Sequence, residues 1–336
     1  MSINNFDPNA AAPKDSGIFG LPFTAEEAEL VLIPVPWEVT TSYGGGTSRG
    51  PEVILAASKQ VDLFDAEKGD FFKKGIAMLD ESSDMQRWNK EGRALAQKVI
   101  DQDDDVTDDI FQKINAYSEK VNQYVYSETK SLLDSHKKVG IVGGDHSVPF
   151  GAIQAFLEKY PNMGVLHFDA HADMRDAYEG FEHSHASIMQ NVISKTSLEK
   201  LVQVGIRDFC EEEMNFIKAH PDRVKTFFDA DLSDAKMRGE SWDSVCEKIV
   251  AALPNEVYVS FDIDGFDPRF CPNTGTPVPG GLEWRETLYL LKKVAHSGRQ
   301  IIGFDLNEVS PGSSDSEWDA NVGARLLYQL CGWVLR

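Results

Sequence analysis

Three short polar clusters, each placed directly after an apolar run, constrain the fold of this chain more than any other feature of its sequence. They are Gly-Gly-Asp-His-Ser at 143–147, Asp-Ala-His-Ala-Asp at 169–173 and Asp-Ile-Asp at 262–264. The apolar runs before them are rich in β-branched residues, which is typical of strands buried in a parallel sheet. Because ligands of an open parallel sheet bind beyond the carboxyl ends of its strands, we expect the three clusters to meet at one edge.

The clusters contain four carboxylates and two imidazoles, which together suit a pair of divalent metal ions. The six side chains are His146, Asp169, His171, Asp173, Asp262 and Asp264. Residues two apart on an extended chain face the same side, so those within each cluster would converge. Four negative charges in one cleft repel each other unless cations neutralise them, and mixed oxygen and nitrogen donors suit manganese, iron, cobalt or nickel, with zinc also possible. The alternative is a set of turns in which the aspartates cap helices and the histidines pack.

Apolar runs alternate with helical patterns along most of the chain, which predicts an α/β fold. We expect about eight strands in a mostly parallel sheet with helices on both faces, a three-layer αβα arrangement. The predicted strands are 29–35, 75–80, 138–142, 163–168, 200–204, 224–228, 257–261 and 300–305. We assign residues 1–22 to an N-terminal arm, either loose or packed on a neighbouring subunit, and residues 23–336 to a single catalytic domain.

A glycine-rich stretch, Gly44-Gly45-Gly46, follows the first predicted strand. It lacks the Gly-Lys-Ser/Thr ending of a phosphate-binding loop. We therefore expect a loop near the mouth of the site, followed by a helix that begins at Pro51.

Charge and cysteine content narrow the class of protein. The formal net charge is −21, which argues against a nucleic-acid partner and would attract a cationic substrate, although such a charge also serves solubility alone. The four cysteines show no paired spacing, which indicates a reduced, cytoplasmic setting. No apolar run is long enough to span a membrane, and residues 1–16 lack the apolar core of a secretory signal.

These motifs, together with Gly-Thr-Pro-Val-Pro-Gly-Gly-Leu at 275–282, resemble those of the ureohydrolase family, the arginases, agmatinases and their relatives. The resemblance extends from Val31 to the C-terminus. It implies an arginase-like fold, and it implies that the six side chains bind two manganese ions, with nickel as an alternative. By the same resemblance we expect a homotrimer or homohexamer that hydrolyses a guanidino compound to urea and an amine.

The resemblance also implies roles for three further residues. Glu308 would receive the substrate guanidinium, a planar group that pairs well with a carboxylate, although it could be an ordinary surface or capping glutamate. His185, in a Ser-His-Ala step, would carry protons or contact substrate; His183 is a competitor, and a merely hydrogen-bonded loop histidine is the alternative. Asp145 would orient His146 or take part in proton transfer.

The loop after Asp173 resembles that of agmatinases, which favours agmatine as the substrate. Hydrolysis of agmatine gives putrescine and urea and belongs to polyamine metabolism. Arg175 stands where arginases place an asparagine, which leaves guanidinobutyrate or formiminoglutamate open as substrates, and arginine also stays open. The region of Trp318 and a helical insert around residues 85–110 leave free guanidine open; Trp318 would line the pocket or else belong to the core or an interface. A non-catalytic, metabolite-binding homologue is the alternative of a different class.

Overall fold

The chain is described here from a computed structural model that covers residues 6–312 and 316–336. Its centre is a sheet of eight parallel strands in the order β2-β1-β3-β8-β7-β4-β5-β6. The strands are β1 Leu30–Val35, β2 Ile76–Met78, β3 Lys138–Gly143, β4 Gly164–Phe168, β5 Lys200–Ile206, β6 Val224–Phe228, β7 Glu256–Asp262 and β8 Gln300–Asn307. All eight predicted strands are confirmed, and β8, the last in the chain, lies between β3 and β7.

Ten α-helices of the described residues cover both faces of the sheet. They are α1 Gly50–Ser58, α2 Ser83–Ile100, α3 Asp108–Asp134, α4 Phe150–Lys159, α5 Ile188–Lys195, α6 Glu211–Ala219, α7 Asp229–Met237, α8 Trp242–Ala251, α9 Trp284–His296 and α10 Trp318–Val334. None of these helices is both long and apolar enough to cross a membrane.

Two hydrophobic clusters, one on each side of the sheet, hold the layers together. Successive residues of a strand face opposite sides, so Val165 packs with α2 to α6 while Leu166 packs with α1 and α7 to α10. Tyr258 and Val259 divide between the two clusters in the same way. Because both faces are buried, the strands need apolar residues at nearly every position, and the predicted three-layer αβα fold is confirmed.

The predicted N-terminal arm, residues 1–22, includes side chains that pack on the catalytic body, while residues 1–5 lie outside the described part of the chain. Ile18, Phe19 and Leu21 are fully or almost fully buried in the cluster that contains α1 and α10. The Phe19 ring meets that of Tyr328 edge to face at 4.9 Å, and its backbone N–H donates to Ser58 Oγ at 2.9 Å. The boundary of the arm stays a prediction.

The region around residues 85–110, predicted as a helical insert, contains most of α2, a short acidic loop and the start of α3. Helix α2 lies close to the chain that follows β1, because a Cβ on Gly92 would come within 2.9 Å of Val39. The next residue in the helix, Arg93, donates from Nη1 to the carbonyl oxygen of Thr41 at 2.5 Å. This helix therefore supports the segment 37–41, which enters the site described next.

Candidate metal centre and active site

The carboxyl ends of four neighbouring strands bring the predicted donors together. Because β3, β8, β7 and β4 are adjacent in the sheet, the residues that follow them share one edge. His146 follows β3, residues 169–173 follow β4, Asp262 ends β7, and Glu308 follows β8 directly. The donors are separated by up to 162 positions in sequence, as between His146 and Glu308, and they converge because of the strand order.

The backbone that presents these donors is less regular than the extended chain expected from their spacing. Strand β4 ends at Phe168, and Asp173 has a left-handed φ of 55°. Residues 263–265 form a 3₁₀ turn in which the backbone N–H of Asp264 donates to Asp262 Oδ1 at 2.9 Å. The side chains do converge, but their directions are set by turns rather than by the alternation of side chains along an extended strand.

The first group of donors surrounds His146. Its Nδ1 lies 3.0 Å from Asp169 Oδ2, 3.2 Å from Asp173 Oδ2 and 3.4 Å from Asp262 Oδ2. All four side chains are at least nine-tenths buried. An imidazole nitrogen and three carboxylate oxygens at this spacing could hold one divalent cation. His167 also lies within ligand distance of His146, Asp169 and Asp173.

The second group lies beside the first and shares a carboxylate with it. His171 Nδ1 is 3.0 Å from Asp264 Oδ2 and 3.5 Å from Asp169 Oδ1. His171 is about a quarter exposed, so this group lies nearer to solvent than the first. Because Asp169 directs one oxygen to each group, the six predicted donors lie in two adjoining sets that could each hold a cation.

The electrostatics of the donor cluster fit metal ions. Burial, with Asp169 next in effect, raises the pKa of Asp173 to about 7, and burial, Asp264 and Asp169 raise that of Asp262 well above its usual range. Asp173 Oδ2 is buried without a hydrogen bond to the described residues. Without cations, the cluster can keep these carboxylates buried only by binding protons, and divalent ions would supply the missing positive charge.

A hydrogen-bond chain below His146 fixes which ring nitrogen faces the donors. Ser260 Oγ donates to Asp305 Oδ1 at 2.9 Å and lies 2.9 Å from His146 Nε2. Because Ser260 donates its hydroxyl proton to Asp305, it must accept a hydrogen bond from Nε2–H of His146. The other ring nitrogen, Nδ1, is therefore unprotonated, and its lone pair faces the three carboxylates. Asp305 is fully buried, and burial raises its pKa to about 6 against the effect of His146 and Ser260. Asp305 therefore supports the cluster through Ser260.

Glu308 lies at the edge of the cluster in a strained conformation. Its φ is 62°, a left-handed value that costs a non-glycine residue about 1 kcal/mol or more. Its Oε1 accepts the backbone N–H of His146 at 3.0 Å, whereas Oε2 is buried with no hydrogen bond to the described residues. Burial, with the nearby charge of Asp145, raises the pKa of this carboxyl well above its usual range.

The space beside this free oxygen is bounded by two loops. A Cβ placed on Gly275 would lie 3.6 Å from Glu308 Oε2, 3.5 Å from the Thr41 methyl group and 3.3 Å from the carbonyl oxygen of Tyr43. The glycine-rich loop is held over it, because Ser310 Oγ donates to the carbonyl oxygen of Gly45 at 3.2 Å. This loop therefore contacts the site, in agreement with its predicted position.

Asp145 contacts Thr40 and Ser147 rather than the ring of His146. Its Oδ2 accepts from the Thr40 hydroxyl at 3.1 Å, and its Oδ1 accepts from the Ser147 hydroxyl at 2.5 Å. Burial raises the pKa of Asp145 to about 6 in spite of these hydrogen bonds. Thr40 Oγ1 in turn accepts the backbone N–H of His185 at 3.0 Å, so Asp145 is linked to His185 through Thr40.

The two candidate histidines of the following loop point to different neighbours. His185 Nδ1 is 3.4 Å from Thr40 Oγ1, and burial, followed by the charges of His171 and His146, lowers the pKa of His185 to about 4. His183 Nε2 instead lies 3.7 Å from Glu119 of α3, and burial with Lys195 lowers its pKa to about 4. The structure thus places His185 nearer to the donor cluster.

Arg175 and Trp318, both left open by the sequence, have defined neighbours. The Arg175 guanidinium lies 4.7 Å from the centre of the Tyr178 ring, and its Nε is 3.7 Å from Glu213. Trp318 is about half exposed, and its indole N–H donates to the carbonyl oxygen of Arg269 at 2.9 Å. Residues 313–315, in the region of Trp318 that left free guanidine open as a substrate, lie outside the described residues.

Sequence reasoning missed two residues that contact the donor cluster and a third, Thr40, that links Asp145 to His185. Ser260 and His167 are buried polar residues within the apolar strands β7 and β4, and a polar residue inside a buried strand is a signal that could have identified them. Thr40 gave no such signal, because its contacts with Asp145 and His185 span 105 and 145 positions of sequence.

Comparisons with known proteins agree with this geometry. A model of the family described as the arginase family matches residues 28–332. An N(1)-aminopropylagmatine ureohydrolase from Synechocystis sp. is 31% identical over 313 residues, covering 91% of this chain and 89% of the relative. An agmatinase from Halalkalibacterium halodurans is 28% identical, covering 92% and 93%. The solved structure of proclavaminate amidino hydrolase from Streptomyces clavuligerus has a TM-score of 0.74 at 23% identity, covering 97% of this chain and 99% of that one.

Proposed function

The chain belongs to the arginase family, and from that premise we propose that it hydrolyses agmatine to putrescine and urea. The observation that carries the proposal is the free, buried oxygen of Glu308 beside a donor cluster suited to two cations. A carboxylate with a spare acceptor is the group that a guanidinium pairs with most readily.

We propose manganese as the metal, with nickel as the alternative. His146, Asp169, Asp173 and Asp262 would hold one ion, and Asp169, His171 and Asp264 would hold the other. When bound, two such cations supply positive charge and lower the pKa of water, which makes hydroxide available near neutral pH. Metal analysis of the purified protein, followed by reloading with each ion, tests this assignment.

Glu308 and the space beside Gly275 would position the substrate. The guanidinium donates to Glu308 Oε2, while Oε1 stays bonded to the backbone of His146. Because glycine has no side chain at position 275, the side of Glu308 Oε2 that a Cβ would contact at 3.6 Å stays uncovered. This contact holds the guanidinium carbon next to the donor cluster and fixes its plane.

His185 would carry the proton. Its low pKa keeps the imidazole neutral at neutral pH, so it can accept a proton. Since the Thr40 hydroxyl donates to Asp145, Thr40 acts as an acceptor towards His185 Nδ1–H. This leaves Nε2 as the basic nitrogen, which would take a proton and return it to the departing amine. Asp145 would thus act through Thr40 on the orientation of His185.

The loop at 174–187 favours a substrate whose far end is an ammonium group. One carboxylate oxygen of Glu179, in this loop, is buried with no hydrogen bond to the described residues, and Arg93 is the cation whose charge acts on this carboxyl group. Arg175, which could otherwise receive a carboxylate, lies against Tyr178 and near Glu213. We propose that Glu179 receives the primary ammonium of agmatine. The Synechocystis relative's name makes N(1)-aminopropylagmatine, which carries a longer cationic tail, the second candidate.

Urea release from a panel of guanidino compounds tests the proposal. We expect the metal-loaded enzyme to show its highest kcat/KM with agmatine, or with N(1)-aminopropylagmatine if the second candidate is right. Preference for arginine, guanidinobutyrate or free guanidine would contradict the assignment of the tail. No urea from any compound, with both metals bound, would favour a non-catalytic binding protein.

We also propose that the chain assembles as a homotrimer or homohexamer. Light scattering coupled to size exclusion gives the mass in solution, and a monomer at assay concentration would contradict this.

A further inference from the structure

A row of polar residues crosses the sheet directly below the donor cluster. Register pairs join Thr226 to Gln203, Gln203 to His167, His167 to Ser260 and Ser260 to Asp305, across strands β6, β5, β4, β7 and β8. Residues paired in register on parallel strands face the same side, so the five side chains form one line. Ser260 and Asp305 set the orientation of His146, as described above, whereas the roles of His167 and Gln203 are unassigned.

His167 is fully buried between Gln203 and the carboxylate that both donor groups share. Its Nε2 lies 2.8 Å from Asp169 Oδ2, and its Nδ1 lies 3.1 Å from Gln203 Nε2. It also belongs to the first group of potential metal ligands by distance. The imidazole could therefore either ligate a cation through Nε2 or donate an N–H from it, but not both.

The neighbours of Gln203 decide between these alternatives. Its Oε1 accepts from the Thr226 hydroxyl at 2.8 Å, and its Nε2 donates to the carbonyl oxygen of Ala172 at 2.8 Å. A carbonyl oxygen can only accept, so the amide cannot be turned round without losing a bond. Its second N–H therefore points at His167 Nδ1, which must carry a lone pair. The proton of the neutral ring is then on Nε2, facing Asp169.

We propose that His167 is a positioning residue, which in its neutral Nε2–H form holds the carboxylate of Asp169, and that it is not a metal ligand. With this bond in place, Asp169 Oδ2 faces His146 at 3.0 Å, and Oδ1 accepts the backbone N–H of His171 at 2.5 Å. The carboxylate is thus fixed in the one rotation that offers an oxygen to each group. The inference rests on the proposed metal centre, but its test does not depend on which substrate is hydrolysed.

Nitrogen NMR of histidine-labelled protein tests the tautomer without any activity measurement. In protein loaded with zinc, a diamagnetic ion, we expect His167 to show a protonated Nε2 and an unprotonated Nδ1. The Gln203→Glu variant replaces the donor with an acceptor and should place a proton on Nδ1. A proton on Nδ1 in the wild type, or a metal-bound Nε2, would overturn the proposal.

Two substitutions at position 167 distinguish a residue that positions the Asp169 carboxylate from a residue that binds the metal itself. His167→Leu removes the donor, and loss of such an outer partner weakens metal binding by about 10- to 100-fold. His167→Gln keeps an amide N–H near the place of Nε2 but has no imidazole nitrogen, so we expect it to restore most of the manganese affinity in a metal titration. Equal weakening in both variants would identify His167 as a ligand. Wild-type manganese affinity in His167→Leu would show that Asp169 does not need a hydrogen bond from His167. Each of these two results would reject the proposal.

Discussion

Replacing Glu308 with glutamine removes one charge at the proposed guanidinium seat and changes the shape of the side chain very little. In the structure, Oε1 accepts the backbone N–H of His146 at 3.0 Å, and Oε2 has no hydrogen bond to the described residues. The glutamine carbonyl oxygen will keep the bond to His146, because an amide N–H₂ cannot accept it. The amide N–H₂ will therefore occupy the free position and will face the N–H groups of the substrate.

The expected loss of activity follows from replacing a charged acceptor with an amide donor. A hydrogen bond to a charged group contributes about 1.5–3 kcal/mol, which corresponds to a fall in kcat/KM of about 10- to 150-fold. We expect a higher KM, rather than a lower kcat, to account for most of this fall, because Glu308 would hold the guanidinium before and during the reaction. Steady-state urea release from agmatine measures it, with two manganese ions per chain verified in the variant. Glu211→Gln, an exposed substitution at the start of α6, is the matched control and should behave as the wild type.

Two results would refute this reasoning. Wild-type kcat/KM in Glu308→Gln, with both metals bound, would mean that the guanidinium binds elsewhere. Loss of metal together with loss of activity would mean that Glu308 supports His146 rather than the substrate. A strained φ of 62° at this position would then serve the metal centre alone.

Four further predictions test other parts of the site. His171→Ala and Asp264→Ala should each lose metal and urea release together, and unchanged metal stoichiometry by elemental analysis would contradict the ligand assignment. Gly275→Ala places a methyl group beside Glu308 Oε2 and should raise KM by about 5- to 150-fold, since one methyl in a tight pocket is worth about 1–3 kcal/mol; an unchanged KM would put the substrate outside this space. Glu179→Gln should raise KM for agmatine but not for free guanidine, and equal effects on both would indicate a purely structural role. His183 is buried with a pKa lowered to about 4, so its neutral form stabilises the fold above pH 6.5 and this contribution is lost as pH falls towards 4. Denaturant unfolding should therefore show His183→Gln gaining up to about 3 kcal/mol relative to wild type between pH 7 and pH 4, and parallel stability curves would contradict this.

The strands and the general position of the site could be predicted, because their signals are local. Apolar, β-branched runs such as 139–142 and 257–261 identify buried parallel strands, and polar residues at their ends identify the edge where ligands bind. The resemblance of the motifs supplied the family and the candidate roles. These two sources agree on the six donor residues.

The directions in which individual side chains point could not be predicted, because they depend on contacts between segments that are distant in sequence. The left-handed backbone of Asp173 and Glu308 replaces the regular strand spacing that the sequence suggests. The position of His185 depends on contacts with Thr40, which lies 145 positions away in sequence. His167 and Gln203 are adjacent only through the register of β4 and β5. Such information is carried by the strand order rather than by any single motif.

The central position of β8 has a consequence for synthesis of the chain. Residues 300–307 emerge late from the ribosome, yet they join the half-sheet β2-β1-β3 to the half-sheet β7-β4-β5-β6. Until then, each half presents an open edge with unpaired backbone groups, which are prone to pair with other chains. Glu308 follows this strand directly, so a polypeptide terminated before residue 300 would lack both the central strand and the residue that we propose binds the guanidinium. The two halves of the sheet therefore become one continuous sheet only after β8 has been synthesised.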